Sequence, residues 1–175
     1  MRAAPRASRI RLLVLDVDGV LTDGGLVFSA SGEETKRFHV HDGLAMVAAR
    51  RAGLQIAILS SRASAAVTRR MAELGVGEVH QGVADKAGAL DALRERLGVA
   101  RGEVAMMGDD LPDLPAMAHA GLALAPANAV AEVKRAAHWV ARRRGGDGAV
   151  REAVEMLLKA RRAWPPRSEG RAAPS

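Results

Sequence analysis

Short apolar runs recur along the chain and alternate with stretches of helical periodicity, several of which end at a glycine. A continuous apolar run bounded by polar residues indicates a strand buried on both faces, as in a parallel sheet. Strands that alternate with helices at this spacing predict βαβ units and a three-layer α/β/α, Rossmann-like parallel sheet. The predicted strands are residues 12–15, 55–60, 79–82, 104–110, 121–124 and 139–140, and the predicted helices are residues 44–51, 63–74, 86–97, 114–120, 129–137 and 149–162.

A small insert lies between the first two predicted strands. Residues 26–40 predict a β-hairpin because two short apolar segments flank a turn at Ser31 and Gly32. We place this insert at about residues 24–40, and with one helix it is too small to form a cap domain over the sheet. The expected layout is a basic, disordered segment at residues 1–9, one folded domain at residues 10–163 and a disordered tail at residues 164–175.

Acidic residues follow two of the predicted strands at the points where the strands end. Asp16 and Asp18 come directly after the first strand, and Gly19 behind them lets the chain turn and a ligand approach the backbone. Asp109 and Asp110 lie at the end of the fourth predicted strand. Ligands of open α/β sheets bind at the carboxyl ends of the strands, and carboxylate oxygens suit Mg²⁺ together with a phosphate group. The sequence therefore predicts a site for Mg²⁺ and a phosphate at this edge of the sheet.

Four motifs that occur in order along the chain resemble the haloacid dehalogenase superfamily of phosphatases. They are Asp16-Val17-Asp18-Gly19, Ser60-Ser61-Arg62, Asp85-Lys86 and Gly108-Asp109-Asp110-Leu111-Pro112-Asp113. Residues 16–25, 38–44 and 145–152 are similar to its uncapped sugar-acid phosphatase branch, typified by the phosphatase of 3-deoxy-D-manno-octulosonate 8-phosphate. The resemblance implies a fold without a cap domain. It also implies Mg²⁺-dependent hydrolysis of that sugar phosphate for lipopolysaccharide precursor synthesis.

The resemblance also implies a role for each motif residue. Asp16 is the expected nucleophile, which takes the phosphoryl group to form an aspartyl-phosphate, and Asp18 is the expected general acid and base. Lys86 is expected to neutralise the phosphoryl oxygens during transfer. The implied metal ligands are Asp16, Asp18 through its backbone carbonyl, and Asp109. The implied substrate contacts are Asp18, Ser60, Ser61, Arg62 and Lys86, with Asp110 and Asp113 as groups that orient the others.

The same residues have plainer interpretations. The acids at the first strand could form a polar turn, Ser60 and Ser61 could cap the next helix, and Lys86 could be a solvated lysine at a helix start. Ser61 and Asp147 stand where the family commonly has glycine and arginine, so the exact sugar stays open. Two further histidines, His39 and His41, fit exposed or turn positions better than substrate contacts, whereas Arg62 could bind the sugar carboxylate.

Composition limits the remaining classes of function. The net charge is +6, and much of the excess arginine lies near the two ends of the chain. Such a field could bind nucleic acid, but aromatic residues make up only 2% and no nucleic-acid motif is present, so this role is disfavoured. The absence of cysteine excludes disulfides and thiolate metal sites. No apolar run is long enough for a membrane span or a secretory signal, so we expect a cytoplasmic protein without a membrane partner.

An uncapped site needs another cover, and the hairpin suggests one. Leu26, Val27 and Phe28 would be exposed on a monomer, which favours an oligomer. The resemblance implies a homotetramer in which neighbouring subunits complete the active sites. Three other functions stay open: a phosphatase of another sugar-acid phosphate such as a nonulosonate 9-phosphate, a catalytically silent assembly module, and an open-site phosphatase of phosphoproteins or nucleic acids.

Overall fold

A six-stranded parallel sheet forms the centre of the molecule in a computed structural model, which describes residues 4–165. In chain order the strands are β1 (Leu12–Leu15), β2 (Val27–Phe28), β3 (Glu34–Thr35), β4 (Gln55–Leu59), β5 (Glu78–His80), β6 (Val104–Met107), β7 (Leu122–Ala125) and β8 (Trp139–Val140). The helices are α1 (Ala4–Ala7), α2 (Val40–Arg51), α3 (Ala65–Glu73), α4 (Lys86–Arg96), α5 (Leu114–His119), α6 (Ala131–Ala136) and α7 (Ala149–Ala160). The strand order is β5-β4-β1-β6-β7-β8, which confirms the predicted α/β class.

Two apolar cores lie on opposite faces of the sheet. Strand β1 is buried on both sides because Leu13 and Leu15 pack into the core under α2, α3 and α7, whereas Leu12 and Val14 pack into the core under α4, α5 and α6. This arrangement produces the predicted three layers. The continuous apolar run at residues 12–15 is therefore explained by a strand with no solvent-facing side.

The insert after β1 is a short antiparallel hairpin followed by a helix. β2 pairs with β3, and the turn between them contains Gly32 at a positive φ of 81°. The second half of the hairpin is shorter than predicted. Strand β3 ends at Thr35, whereas residues up to 40 were expected to extend it. Helix α2 instead begins at Val40 rather than at residue 44, because the His39 side chain accepts a hydrogen bond from the His41 backbone N–H and caps the helix.

The N-terminal segment differs from its expected disorder. Residues 4–7 form the short helix α1, and the side chain of Ala7 is completely buried. Arg6 Nη1 donates a hydrogen bond of 2.8 Å to the carbonyl of Gly121, which connects this basic segment to the residue before β7. Of the expected C-terminal tail, residues 166–175 lie outside the described residues, but the Trp164 ring packs under the Arg151 guanidinium. No helix within residues 4–165 has the length and apolarity needed to cross a bilayer.

A buried carboxylate joins α2 to the start of α7. Asp42 is 1% exposed, and its side chain accepts hydrogen bonds from the backbone N–H groups of Gly148 (3.3 Å) and Arg151 (2.7 Å). Gly148 is the N-cap residue of α7 and Arg151 lies in its first turn, so these two N–H groups have no partner inside the helix. Burial raises the pKa of Asp42, while the two backbone donors act in the opposite direction. Asp42 therefore fixes the position of the segment that precedes α7.

Loss of this carboxylate should weaken the fold. Asp42→Ala should lower the free energy of unfolding by about 1 kcal/mol, since it removes an N-terminal helix cap. Asp147→Ala is the matched control, because Asp147 lies nearby but its side chain is 60% exposed. Chemical denaturation of both variants measures the difference. Equal stabilities would contradict the assigned role of Asp42.

Candidate active site

Three predicted site residues meet because their strands are neighbours. Strands β4, β1 and β6 lie side by side, and at their carboxyl ends they are followed by Ser60, Asp16 and Asp109 respectively. The Asp16 backbone N–H donates to the Met107 carbonyl, so the residue after β1 is still tied to β6. A cavity of about 280 Å³ opens over this edge and is lined by residues of all four motifs.

Lys86 connects the first motif to the last. Its ammonium group lies 2.9 Å from Asp16 Oδ1 and 2.6 Å from Asp113 Oδ1, and the lysine is only 5% exposed. Burial lowers the pKa of Lys86, but the two carboxylates act against this effect, and the net shift is upward. Lys86 is therefore a charged, fixed group inside the site and not a solvated lysine at a helix start.

Asp113 positions the loop that follows β6. It is 1% exposed, and its second oxygen accepts hydrogen bonds from the backbone N–H groups of Asp109 (2.9 Å) and Asp110 (3.2 Å). One carboxylate thus holds Lys86 with one oxygen and the loop after β6 with the other. The side chain of Asp110 accepts a hydrogen bond from the backbone N–H of the next residue, Leu111, and so stabilises only its own turn.

Carboxylate oxygens of Asp16, Asp109 and Asp113 all lie within 4.8 Å of one another. Burial raises the pKa of Asp16 to about 6, with a further contribution from Asp113. Burial and repulsion by Asp16 and Asp113 raise the pKa of Asp109 to about 7. The single positive charge of Lys86 does not neutralise the negative charge of three carboxylates. The donor atoms are all oxygens, which suits a hard divalent cation such as Mg²⁺. Asp16 and Asp109 would hold the ion, and Asp113 is engaged by Lys86 and two backbone donors.

The loop after Asp16 lies directly against the cluster. Gly19 has a φ of +85°, and a Cβ atom on it would lie 1.9 Å from Asp109 Oδ2. Asn128 bridges this loop to the segment before α7, because it donates to the Gly19 carbonyl (2.9 Å) and accepts from the Gly145 N–H (2.6 Å). A Cβ at Gly145 would lie 1.8 Å from the Gly19 carbonyl oxygen, so only glycine permits this approach. No motif or spacing in the sequence indicated a role for Asn128.

Asp18 lines the same cavity as the carboxylate cluster, but its side chain pairs with two other cations. Lys36 Nζ contacts Asp18 Oδ1, and Arg62 Nε lies 3.6 Å from Asp18 Oδ2. Lys36 was not among the predicted site residues. A signal existed, since only four of the 26 Lys and Arg residues are lysines, and another of the four is Lys86.

The second motif lines the same cavity. Ser60 is 3% exposed, and its hydroxyl accepts a hydrogen bond from the Arg62 backbone N–H at 3.3 Å, while Ser61 and Arg62 are exposed. Helix α3 begins only at Ala65, and Ser64 occupies its N-cap position. Ser60 and Ser61 therefore do not cap α3, which removes their plainer interpretation and leaves them free to face a phosphate.

Two predicted candidates lie elsewhere. His39 and His41 line a different cavity, of about 840 Å³, together with Asp147 and arginines near the start of α7. Their rings contact each other edge to face with centroids 4.9 Å apart, and His39 Nε2 lies 3.9 Å from Asp147. Within the described residues these histidines act as turn and capping residues, and the structure does not bring them to the carboxylate cluster.

This combination of fold and site defines a class of hydrolase. The sequence model of the haloacid dehalogenase-like hydrolases matches residues 74–152, and relatives with well over 30% identity cover most of the chain. The chain therefore belongs to the haloacid dehalogenase-like hydrolase family.

Its relatives narrow the class. The chain is similar to 3-deoxy-D-manno-octulosonate 8-phosphate phosphatase KdsC of Escherichia coli K12, with 43% identity over 155 residues, 89% of this chain and 82% of the relative. It is also similar to the crystal structure of that phosphatase from Moraxella catarrhalis in complex with magnesium, phosphate and KDO. That comparison has a TM-score of 0.90 and 40% identity, and it covers 92% of each chain. The cobalt-bound Haemophilus influenzae phosphatase gives a TM-score of 0.88 at 40% identity, with 91% of this chain and 95% of that chain covered.

The contact between Gly19 and Asp109 predicts a specific defect in metal binding. Gly19→Ala should weaken Mg²⁺ binding about tenfold or more, because the new methyl group displaces a proposed ligand. Gly53→Ala is the matched control, since Gly53 also has a positive φ, +75°, but open space around the Cβ position. Titration calorimetry with Mg²⁺ compares the two. Equal losses of Mg²⁺ affinity would contradict this geometry.

The raised pKa values predict how Mg²⁺ and pH act together. Asp16 and Asp109 have pKa values of about 6 and about 7 in the folded, metal-free protein, against 3.8 as the ordinary value. Between the ordinary pKa of 3.8 and the raised values, the folded state binds more protons than the unfolded state. The metal-free protein should therefore lose stability as the pH rises through this range. Mg²⁺ should therefore raise the melting temperature more at about pH 8 than at about pH 5. A shift that is equal at both pH values would contradict the prediction.

Proposed function

We propose that the protein is a Mg²⁺-dependent phosphatase that hydrolyses 3-deoxy-D-manno-octulosonate 8-phosphate to 3-deoxy-D-manno-octulosonate and phosphate. One observation carries the proposal: Asp16, Asp109 and Lys86 converge at the strand ends of a chain that is 43% identical to phosphatases of that name. The relative from Moraxella catarrhalis holds magnesium, phosphate and KDO, which are the metal and the products that such a reaction requires.

The geometry supports two successive transfers on one carboxylate. An Asp16 oxygen attacks phosphorus, the bond from phosphorus to the sugar oxygen breaks, and Asp18 gives a proton to the departing alkoxide. Water then attacks the aspartyl-phosphate, Asp18 takes the proton of this water, and the Asp16 carboxylate is released with inorganic phosphate. Lys86 stabilises the phosphoryl oxygens, and Ser60 can donate its hydroxyl to one of them. Asp16 and Asp109 would hold Mg²⁺, which would supply Lewis acidity and neutralise charge during the transfer.

Selection of the sugar involves the exposed part of the cavity. Arg62 is half-exposed at the cavity mouth and carries the positive charge that a sugar carboxylate requires. Ser61 and Asp147 differ from the residues common in the family, so a second sugar-acid phosphate, such as a nonulosonate 9-phosphate, is the alternative substrate. The connected charge cluster argues against a silent assembly module, because buried ionised groups are costly without a function.

Oligomerisation is part of the proposal. Leu26, Val27 and Phe28 on the hairpin are 49%, 59% and 57% exposed, and on α2 the side chains of Val40 and Leu44 are 72% and 62% exposed. Such a patch favours association with other copies of the chain, and we propose a homotetramer whose subunits cover one another's open sites. The proposed partner is thus the chain itself, and a cytoplasmic location stays a prediction from the sequence.

A substrate screen tests the reaction. With Mg²⁺, phosphate release should be fastest from 3-deoxy-D-manno-octulosonate 8-phosphate, and Asp16→Asn should lower it by about 10³-fold or more while the protein stays folded. Asp91→Asn is the matched control, because the half-buried Asp91 pairs with Arg94 and His119 and does not line the cavity. Retained turnover in Asp16→Asn would remove Asp16 as the nucleophile, and a faster nonulosonate phosphate would favour the alternative.

Analytical ultracentrifugation tests the assembly. The protein should sediment as a tetramer, and the double substitution Val27→Asp with Phe28→Asp should shift it to smaller species, because it places carboxylates in an apolar contact. Ala131→Asp should leave the tetramer intact, since this exposed residue begins helix α6, where an added carboxylate is favourable. A wild-type monomer would refute the assignment.

A further inference from the structure

The hairpin contributes a buried lysine to the active site of its own chain. Lys36 directly follows β3, and its side chain is 2% exposed, whereas the side chain of the next residue, Arg37, is 79% exposed. Its ammonium group contacts Asp18 Oδ1 and lies 3.0 Å from Glu34 Oε1. A lysine is rarely buried this far unless its charge is paired, and here two carboxylates pair with it.

These contacts form a closed set of alternating charges around Asp18. Lys36 faces one oxygen of Asp18, and Arg62 lies 3.6 Å from the other. Glu34 contacts both Lys36 and Arg62, so it holds the two cations in place. Lys36 and Lys86 therefore pair with different carboxylates. Lys86 binds Asp16 and Asp113 of the carboxylate cluster, while Lys36 binds Asp18, the proposed proton-transfer group.

We propose that Lys36 is a positioning residue for proton transfer, an inference that rests on the proposed function of Asp18. A side-chain carboxylate in an open cavity can rotate, and general acid–base catalysis requires the oxygen within hydrogen-bond reach of the moving proton. Lys36 occupies Oδ1 and fixes the plane of the carboxylate, and this leaves Oδ2, on the Arg62 side, for the proton of the leaving group or of water. The hairpin thus acts in catalysis within one subunit, in addition to its exposed apolar patch.

Kinetics with p-nitrophenyl phosphate test the proposal independently of the sugar. Lys36→Met keeps the length of the side chain but removes its charge, and it should lower kcat about tenfold or more, with little change in KM or in the Mg²⁺ concentration for half-maximal activity. Lys36→Arg should recover part of the lost kcat, because it restores a cation near Asp18. Arg37→Met is the matched control on the same hairpin and should retain the wild-type kcat.

A double-mutant cycle separates positioning from a structural effect. If Lys36 acts through Asp18, adding Lys36→Met to Asp18→Asn should change kcat by less than about twofold, because the group it positions is already lost. A wild-type kcat in Lys36→Met, or losses that multiply in the double variant, would overturn the proposal. Should Lys36→Met fail to fold, Lys36→Gln must show the same loss and the same non-additivity.

A wild-type protein that hydrolyses p-nitrophenyl phosphate but not the sugar phosphate would contradict the proposed substrate without affecting this test.

Discussion

The site depends on one buried ammonium group held between two carboxylates. Lys86 joins Asp16, which follows β1, to Asp113, which lies beyond β6, and Asp113 in turn holds the backbone of the Asp109 loop. Removing any one member would leave a buried charge without its partner, which is far more costly than losing a surface ion pair. This constraint places the proposed nucleophile and the proposed metal ligand at the same edge of the sheet and prevents their mutual repulsion from separating them.

Glycine at a few positions lets the rest of the chain approach this group closely. Gly19 lies against Asp109, and Gly145 lies against Gly19, at distances that no side chain would permit. Asn128 hydrogen-bonds to the backbones of Gly19 and Gly145. Asp42 holds the start of α7 by accepting a hydrogen bond from the Gly148 N–H. The segment before α7 therefore supports the loop that carries Asp16 and Asp18, although it lies more than a hundred residues away in the chain.

The sheet and the four motifs could be predicted because both depend on local sequence. Apolar runs such as residues 12–15 indicate buried strands, and acids or hydroxyls at their ends indicate a site where the strands meet. The start of α2 could not be placed, because apolar Phe38 and Val40 also suit a hairpin strand and the His39 cap decides between them. Asn128 and Asp42 escaped prediction because their partners are distant in sequence. Lys36 was missed although lysine is rare in this chain, because its partner Asp18 lies on a different element. Helix α1 was missed as well, since burial of Ala7 by the folded domain holds it.

The central claim is that Asp16 and Asp109 share one divalent ion while the buried Lys86 holds Asp16 and Asp113. A crystal structure of the protein grown with Mg²⁺ tests this most directly. The account predicts a single ion with oxygen atoms of both aspartates at about 2.1 Å and with Lys86 still bound to Asp16. An ion bound elsewhere, or held by only one of the two aspartates, would contradict it.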